Sequence, residues 1–466
     1  MKATACTNIR GFGVAAPWIH FALLLGCHLL APVSQAKVPA PPTSGVITLE
    51  QAYDIALRTD QSIRIAYQEV RKADLLPWGA LTKFGPQINA SASYSRREQT
   101  ATSSILPTGL GTFSDRSTLA HSGNAQAGIT VQQPLIDLTF FPAWRLAGLS
   151  KTATRFARQF TIRETLYGVA GAYYAVIKQQ SLVKVNRDAL KLTSEQQDLA
   201  QKRLDVGEVT RTDVLRAQVT VETARQTLVQ SEGALELNRN TLANILNLAP
   251  NTPFSVVEPP NYSSTLPPFE ELLGRAYAHR EDLHVKEIAI DQDIARRGQI
   301  VGQYGPKVVA EFDTALAHTA GTSPSSGHDW QATISVNVPI FTGGQREVDL
   351  RTADHQIEET RLAREQAAKA VEADVKQAWL NVRTFEQTLK AARVQVVAAE
   401  QSYHDLGTQY RAGAATSVDL LSALNDFNTA RQNLAAQTYD YQVALRNLEV
   451  VSGVFQEPRV QRSNLQ

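Results

Sequence analysis

The segment YRAGAATSVDLL (residues 410–421) predicts a tight turn at Gly413 that opens a helix near Ser417. No glycine or proline interrupts the chain from Ser417 to Leu448. In this run an apolar or aromatic side chain recurs every seven residues, at Leu420, Phe427, Leu434, Tyr441 and Leu448. Seven-residue spacing is the period of a left-handed coiled-coil seam. The segment therefore predicts a helix that packs lengthwise against a second helix.

The same pattern occurs earlier in the chain, displaced by 206 residues. Gly207 and Asp213 correspond to Gly413 and Asp419, and the tetrapeptide TARQ at 223–226 recurs at 429–432. The seven-residue step also follows the first turn, at Val214, Val221, Leu228, Leu235 and Leu242. A duplication of this length predicts two copies of one structural unit, each turning at its glycine.

A longer helical segment precedes each turn. In the second copy, apolar residues alternate in steps of four and three from Val371 to Tyr410, which is an unbroken coiled-coil seam. The whole helix is expected from about Gln345 to Gln409, and at 1.5 Å per residue it is roughly 95 Å long. With the helices that follow the turns, these segments predict antiparallel helical hairpins over residues 143–248 and 345–453.

Two further regions alternate apolar and polar residues with the period of a β-strand. They predict β-hairpins over residues 86–134 and 305–339, with Ser-, Thr- and Gly-rich loops between the strands and with Pro134 and Pro339 ending them. Each strand has about ten residues, enough for a tilted strand to cross the hydrocarbon core. Glu311 and Asp313 on the polar face suit a wet lumen, although half-buried strands of a soluble sheet would alternate in the same way.

The order of helix, β-hairpin and helical hairpin thus occurs twice. The repeats cover residues 48–249 and 269–455, with a Pro-rich linker at 250–268 and a polar tail at 456–466. This predicts a mainly α fold with a small β part. Four strands are too few for a bilayer-spanning barrel, and their edges would be unsatisfied in lipid. Membrane insertion would require strands pooled from several copies, eight in a dimer or twelve in a trimer.

The first 36 residues have the pattern of a signal peptide, and residues 37–47 form a Pro-rich lead-in. Lys2 and Arg10 precede a largely apolar run, and Ala36 ends a cleavage site with small residues. The alternative is a lipoprotein signal, because LLGC at 24–27 resembles a lipobox that would leave Cys27 lipidated. An uncleaved anchor is less favoured, because the apolar run is shorter than the ~20 residues that span a bilayer.

Composition excludes several classes of function. The chain of 466 residues has 46 basic and 45 acidic side chains, which gives no support for nucleic-acid binding. Both cysteines, Cys6 and Cys27, lie in the leader, so a thiolate metal site is not expected. No phosphate loop, HExxH or GxSxG motif occurs, so we expect no catalytic site and no cofactor. His318 and His328 flank a polar loop in this interpretation and are expected to be solvated rather than metal-bound.

The motif YRAG at 410–413, with SVDLL at 417–421 and ARQNL at 430–434, resembles the TolC-like outer-membrane efflux protein family. The resemblance extends over residues 48–455. It implies a homotrimer whose twelve strands form one β-barrel in the lipid of the outer membrane and whose helices form a periplasmic tunnel. It also implies an exit duct for efflux or secretion that works with a periplasmic adaptor of the membrane-fusion type and an inner-membrane pump. Drugs, metal ions, peptides and secreted proteins are all possible cargo.

The resemblance further implies a gate at the periplasmic tip, close to Gly207 and Gly413. Asp213 and Tyr410 match the aspartate and tyrosine of a polar link between the hairpins in that family. Ala415 stands where an arginine is expected, so the lock should be weaker or differently built, and Arg211 or Arg411 are candidate substitutes.

The family also has an entrance ring of two acidic residues per chain. Asp419 matches the first and Ser422 replaces the second, so the ring should favour cations less strongly than a double ring would. The alternative is that Asp213 and Asp419 are only first-turn helix residues favoured by the helix dipole.

A different reading of the whole chain is a structural or adhesive coiled-coil protein of the cell envelope. Such a protein would use the long helices but would not need four alternating strands. A soluble periplasmic enzyme is the third possibility, and no site in the sequence supports it.

Overall fold

The structure, a computed structural model, describes residues 45–105, 113–249, 252–259, 266–321 and 324–453. For residues 98–105, 113–122 and Gly321 it describes the backbone only. The expected signal peptide, the alternative lipid site at Cys27 and the expected tail at 456–466 lie outside these ranges.

Helices make up most of the described chain, which confirms the mainly α fold. The shorter ones are α1 (Leu49–Thr59), α2 (Gln61–Asp74), α3 (Leu76–Thr82), α6 (Phe269–His279) and α7 (Glu281–Gln303). The longer ones are α4 (Phe140–Asp205), α5 (Arg211–Ile245), α8 (Gln345–Arg411) and α9 (Ser417–Val451). With 66 and 67 residues, α4 and α8 are each about 100 Å long. Over the described ranges, none of these helices has the length and apolar content needed to cross a membrane.

Each long helix pairs with the helix that follows it, α4 with α5 and α8 with α9. The predicted seam of α8 is confirmed, because its apolar side chains are buried or half-buried, and Val371, Val375, Ala378 and Val382 are among the buried ones. Helix α9 also packs along α4, so the four helices lie side by side in the order α5, α4, α9, α8. Neighbouring helices run antiparallel, and α5 and α8 are the two edges of this helical layer.

The strands form two sheets. The short strands β1 (Gly45–Ile47) and β4 (Phe254–Val256) pair in parallel, which places a strand inside the segment expected to be an irregular linker. The larger sheet is antiparallel, in the order β2 (Gln87–Ile105), β3 (Phe113–Ile136), β5 (Lys307–Gly321) and β6 (Ser325–Asn337).

The register of the larger sheet gathers the apolar residues on one face. Ile88 pairs with Val131, Val131 with Phe312, and Phe312 with Ala332. The opposite face is polar, and there Gln132 donates a hydrogen bond of 3.1 Å to Glu311. The apolar face is open, with Trp330 67% and Ile334 71% exposed.

The strands are longer than the sequence pattern predicted. β2 continues to Ile105 and β3 begins at Phe113, although both ends were expected to belong to a polar loop. Strands can pair through their backbones without an apolar face. A strand that is polar on both faces therefore shows no alternation of apolar and polar residues in the sequence. His318 and His328 likewise lie within β5 and β6, where they pair with the hydroxyls of Ser326 (2.8 Å) and Thr314 (3.1 Å).

Pro134 does not end β3, contrary to the prediction. It lies opposite Val309, and the strand continues to Ile136 after a register shift. A bulge at this point accommodates a residue that has no N–H to donate to the ladder.

Candidate functional site

The turns at the ends of the two helical hairpins have the same backbone structure. Gly207 and Gly413 have φ values of +81° and +75°. At both turns the residue after the glycine donates to a carbonyl five residues back, as Glu208 does to Arg203 (2.8 Å) and Ala414 to Gln409 (2.9 Å). This is the Schellman ending of a helix, which places glycine in the left-handed region.

The helix after each turn begins with a capping box. The amide and hydroxyl of Thr210 donate to one oxygen of Asp213 at 3.0 and 2.7 Å. Thr416 donates to Asp419 in the same way at 3.0 and 2.6 Å. Both aspartates therefore stabilise the first turn of a helix, which was the alternative interpretation of these residues. The capping box occupies only Oδ2 of each carboxylate.

The second oxygen of Asp213 connects the two hairpins. It accepts a 2.5 Å hydrogen bond from the hydroxyl of Ser417, 204 residues further along the chain. The hydrogen bond from Ser417, followed by those from Thr210, lowers the pKa of Asp213. The carboxylate therefore remains ionised at neutral pH, and its partner in the second hairpin is Ser417 rather than Tyr410.

Tyr410 contacts a residue that the sequence interpretation did not include. The guanidinium of Arg203, near the end of α4, lies 4.5 Å from the centre of the buried Tyr410 ring. Arg203 also donates to the backbone carbonyls of Tyr410 (2.9 Å) and Arg411 (3.2 Å), and it forms an ion pair with Glu208 (3.0 Å).

The duplication contains the signal that could have indicated Arg203. At the offset of 206 residues, Arg203 corresponds to Gln409, and Tyr410 corresponds to Leu204. The two copies therefore differ at adjacent positions just before the turn, where one has a cation and the other an aromatic ring.

The side chains at the three positions linked to the expected arginine take no part in this contact. Arg411 donates to Gly407 (3.1 Å) and Thr408 (3.4 Å) of its own helix. The side chain of Arg211 is exposed and makes no hydrogen bond or ion pair within the described part of the chain. Ala415 is half-buried in the second turn.

Asp419 and Ser422 are both exposed on α9, three residues apart and therefore on neighbouring parts of one helix face. Hydrogen bonds from the hydroxyl and amide of Thr416 lower the pKa of Asp419. This surface thus has an ionised carboxylate at Asp419 and a neutral hydroxyl at Ser422.

Polar contacts also join α4 to the second hairpin above the turns. Asn186 accepts from Gln432 (2.7 Å) and Asp188 from Arg431 (2.7 Å), and Gln196 donates to the hydroxyl of Tyr403 (2.9 Å). The two hairpins therefore meet through polar contacts at these three positions of α4, and through an apolar contact where Tyr439 of α9 joins the core of the first hairpin. Among the described side chains, no group of three or more His, Cys, Asp or Glu residues is placed to hold a metal ion.

Comparison with known proteins gives consistent matches. The model of the outer membrane efflux protein family matches residues 52–248 and 272–454. The outer membrane efflux protein BepC of Brucella suis is 26% identical over 385 residues, covering 78% of this chain and 76% of BepC. The outer membrane protein TolC of Escherichia coli is 24% identical over 441 residues, covering 89% and 85%.

The fold is also similar to that of a solved channel. The outer membrane channel CmeC of Campylobacter jejuni superposes with a TM-score of 0.70 at 15% identity, covering 88% of this chain and 87% of CmeC.

Proposed function

The chain belongs to the outer membrane efflux protein family, and from this membership we propose that it is an outer-membrane channel, the exit duct of an efflux or secretion assembly. It acts as a conduit and not as an enzyme. Its helical hairpins extend into the periplasm, where they work with a periplasmic adaptor and an inner-membrane pump.

The observation that carries the proposal is the sheet with one apolar and one polar face. The apolar face is open to its surroundings, as the exposed Trp330 and Ile334 illustrate. An exposed apolar surface of this kind marks contact with lipid or protein. Each outer strand of the sheet, β2 and β6, has a described strand neighbour on one side only. Unpaired edges are not tolerated in lipid, so further copies of the chain would complete the sheet.

The helical layer supports the same assembly. On α5, Leu215, Val219 and Val229 are exposed on the face away from α4, and on α8 the exposed residues include Val394 and Val397. In the sheet, the edge strands β2 and β6 run antiparallel to each other, and in the helical layer the edge helices α5 and α8 do the same. In a closed ring, β6 of one copy would meet β2 of the next, and α8 would meet α5.

Three copies suit this geometry better than two. An eight-stranded barrel has an interior that side chains fill, whereas a duct needs an open lumen. The homotrimer would supply twelve strands and a ring of twelve long helices. Six turns would then lie at the periplasmic tip, where Asp213, Tyr410, Ala415, Asp419 and Ser422 form the gate region.

Cysteine cross-linking tests this assembly in the membrane. Thr333→Cys on β6 is combined in turn with Asn89→Cys, Ser91→Cys, Ser93→Cys and Ser95→Cys on β2. Because Cys6 and Cys27 are the only native cysteines, oxidation should give a ladder that ends at the trimer for at least one pair. Thr333→Cys with Thr130→Cys on the inner strand β3 is the matched control and should not give the ladder.

Together with a carbonate wash of the membranes, the cross-linking experiment also tests the alternative that the chain is a structural or adhesive coiled-coil protein. Such a protein would be released from membranes by carbonate and would give no ladder through β2 and β6. That result would overturn the duct.

A further inference from the structure

We propose that Arg203 is the latch that holds the two helical hairpins of one chain together at their turns, and that its release opens the periplasmic end of the duct. The inference rests on the proposed channel function and names the residue that regulates it. Arg203 belongs to the first hairpin, and its carbonyl and aromatic partners belong to the second.

The latch binds the C-terminal end of α8. The last carbonyls of a helix have no donors within the helix and lie at the negative end of its dipole. Arg203 donates to the last two carbonyls of α8, those of Tyr410 and Arg411, and the Tyr410 carbonyl also accepts from the amide of Gly413 (3.1 Å). The planar guanidinium can make both hydrogen bonds while its face covers the Tyr410 ring.

The environment of Arg203 makes these contacts strong. Its side chain is only 17% exposed, whereas that of Glu208 is 57% exposed. Charge-assisted hydrogen bonds and cation–π contacts strengthen when water is excluded, and an exposed ion pair contributes little. The carbonyls and the ring of the second hairpin, rather than Glu208, therefore hold Arg203.

The position of the latch gives it control over the turns. The contacts of Asn186, Asp188 and Gln196 lie further from the turns along α4. Between these contacts and the ends of the hairpins, Arg203 makes several bonds at once. Among the described residues, the other polar link there is the single bond from Ser417 to Asp213. Separation of the turns would thus require the release of Arg203 before the upper contacts part.

Planar-bilayer recordings of the full-length trimer test the latch. Arg203→Gln should raise the basal open probability about tenfold or more, because it removes charge-assisted hydrogen bonds and the cation–π contact. Arg203→Lys keeps the positive charge but lacks the planar guanidinium with its several donors, so its open probability should lie between those of the wild type and Arg203→Gln. Arg211→Gln removes the same charge from an exposed tip residue and should leave the open probability unchanged. Arg211→Gln should also leave the thermal stability of the trimer unchanged.

Each result separates the latch from the channel function. A wild-type trimer that inserts but never conducts would overturn the proposed function. A conducting wild type with an unchanged Arg203→Gln variant, or with a larger effect of Arg211→Gln, would overturn the latch alone. Where Arg203→Gln does not assemble, Tyr410→Leu removes the ring and keeps the carbonyls. It should raise the open probability, and an unchanged value in both Tyr410→Leu and Arg203→Lys would again overturn the latch.

Discussion

The hydroxyl of Ser417 donates to the carboxylate of Asp213, so the first residue of α9 is bonded to the first turn of α5. The two helices belong to different copies of the duplication. At the equivalent position of the first copy stands Arg211, which makes no such bond among the described residues. The duplicated turns are therefore alike in backbone and different in the side chains that join them.

Removal of this bond should loosen the tip. Ser417→Ala leaves the capping box intact and takes the donor from Asp213. We expect the basal open probability in planar bilayers to rise about tenfold or more, because a hydrogen bond to a charged group contributes about 1.5–3 kcal/mol. Thr429→Ala, which removes an exposed hydroxyl further along the same helix, is the control. Equal values for Ser417→Ala and wild type would show that the bond does not restrain the turns.

The same bond predicts how the gate responds to acid. The folded-state pKa of Asp213 lies below 3.8 because of Ser417 and Thr210. A carboxyl with a lowered pKa gives its full stabilisation above its unfolded-state pKa and loses it as the pH falls through the lowered value. The contribution of Asp213 should therefore be constant from pH 7 down to about pH 5 and weaken only below about pH 4. In Ser417→Ala the onset should move to higher pH, and an onset in wild type near neutral pH would point to another group.

An arginine introduced in the second turn should strengthen the closed state. Ala415→Arg introduces the cation that the family resemblance implies at this position, in the turn that precedes the capping box of Thr416 and the ionised Asp419. We expect the basal conductance to fall about threefold, the effect of a partly exposed ion pair. Ala414→Arg adds the same charge at the exposed neighbouring position. An equal fall in both variants would assign the effect to tip charge in general.

A second acidic residue on α9 should change ion selectivity. Ser422→Asp places a carboxylate three residues after Asp419, three times in the trimer. The reversal potential in a salt gradient should shift toward stronger cation preference. Ser422→Asn is the uncharged control and should not shift it. Asp419→Asn should move the potential in the opposite direction, and no shift in any of the three would place this face outside the conduction path.

Two glycines near the second turn should respond to alanine with opposite signs. Gly413 has a φ of +75°, and alanine there should destabilise the turn by about 1–2 kcal/mol. Gly407 lies inside α8, where a Cβ would be 3.8 Å from the nearest atom of Leu420, and alanine should stabilise the helix by up to about 1 kcal/mol. Limited proteolysis at the turn would measure both. Slower cleavage of Gly413→Ala than of wild type would contradict the first expectation.

The sequence predicted the features that depend on local pattern. The burial of Val371, Val375 and Ala378 follows from their spacing, and the positive φ of Gly207 and Gly413 follows from the helix endings around them. The strand faces follow from alternation, as the pairing of Val131 with Phe312 illustrates.

The rest depends on contacts between distant parts of the chain. Arg203 reaches Tyr410 across 207 residues, and neither residue has a local pattern that names the other. The ends of β2 and β3 were missed because a polar strand gains its pairing from its neighbour and not from an apolar face. Pro134 lies within β3 because the ladder has a bulge at this point, where no backbone N–H is required from the proline.

The length of α4 and α8 has a mechanical consequence. Rotation of a rod about 100 Å long by roughly 5° at the sheet end carries its far end through roughly 9 Å. A small angular change at the membrane is thus amplified into a side-chain-sized displacement at the turns without loss of a helical hydrogen bond. The helices would act as lever arms in the proposed trimer, so that once Arg203 is released a small tilt would be enough to separate the turns.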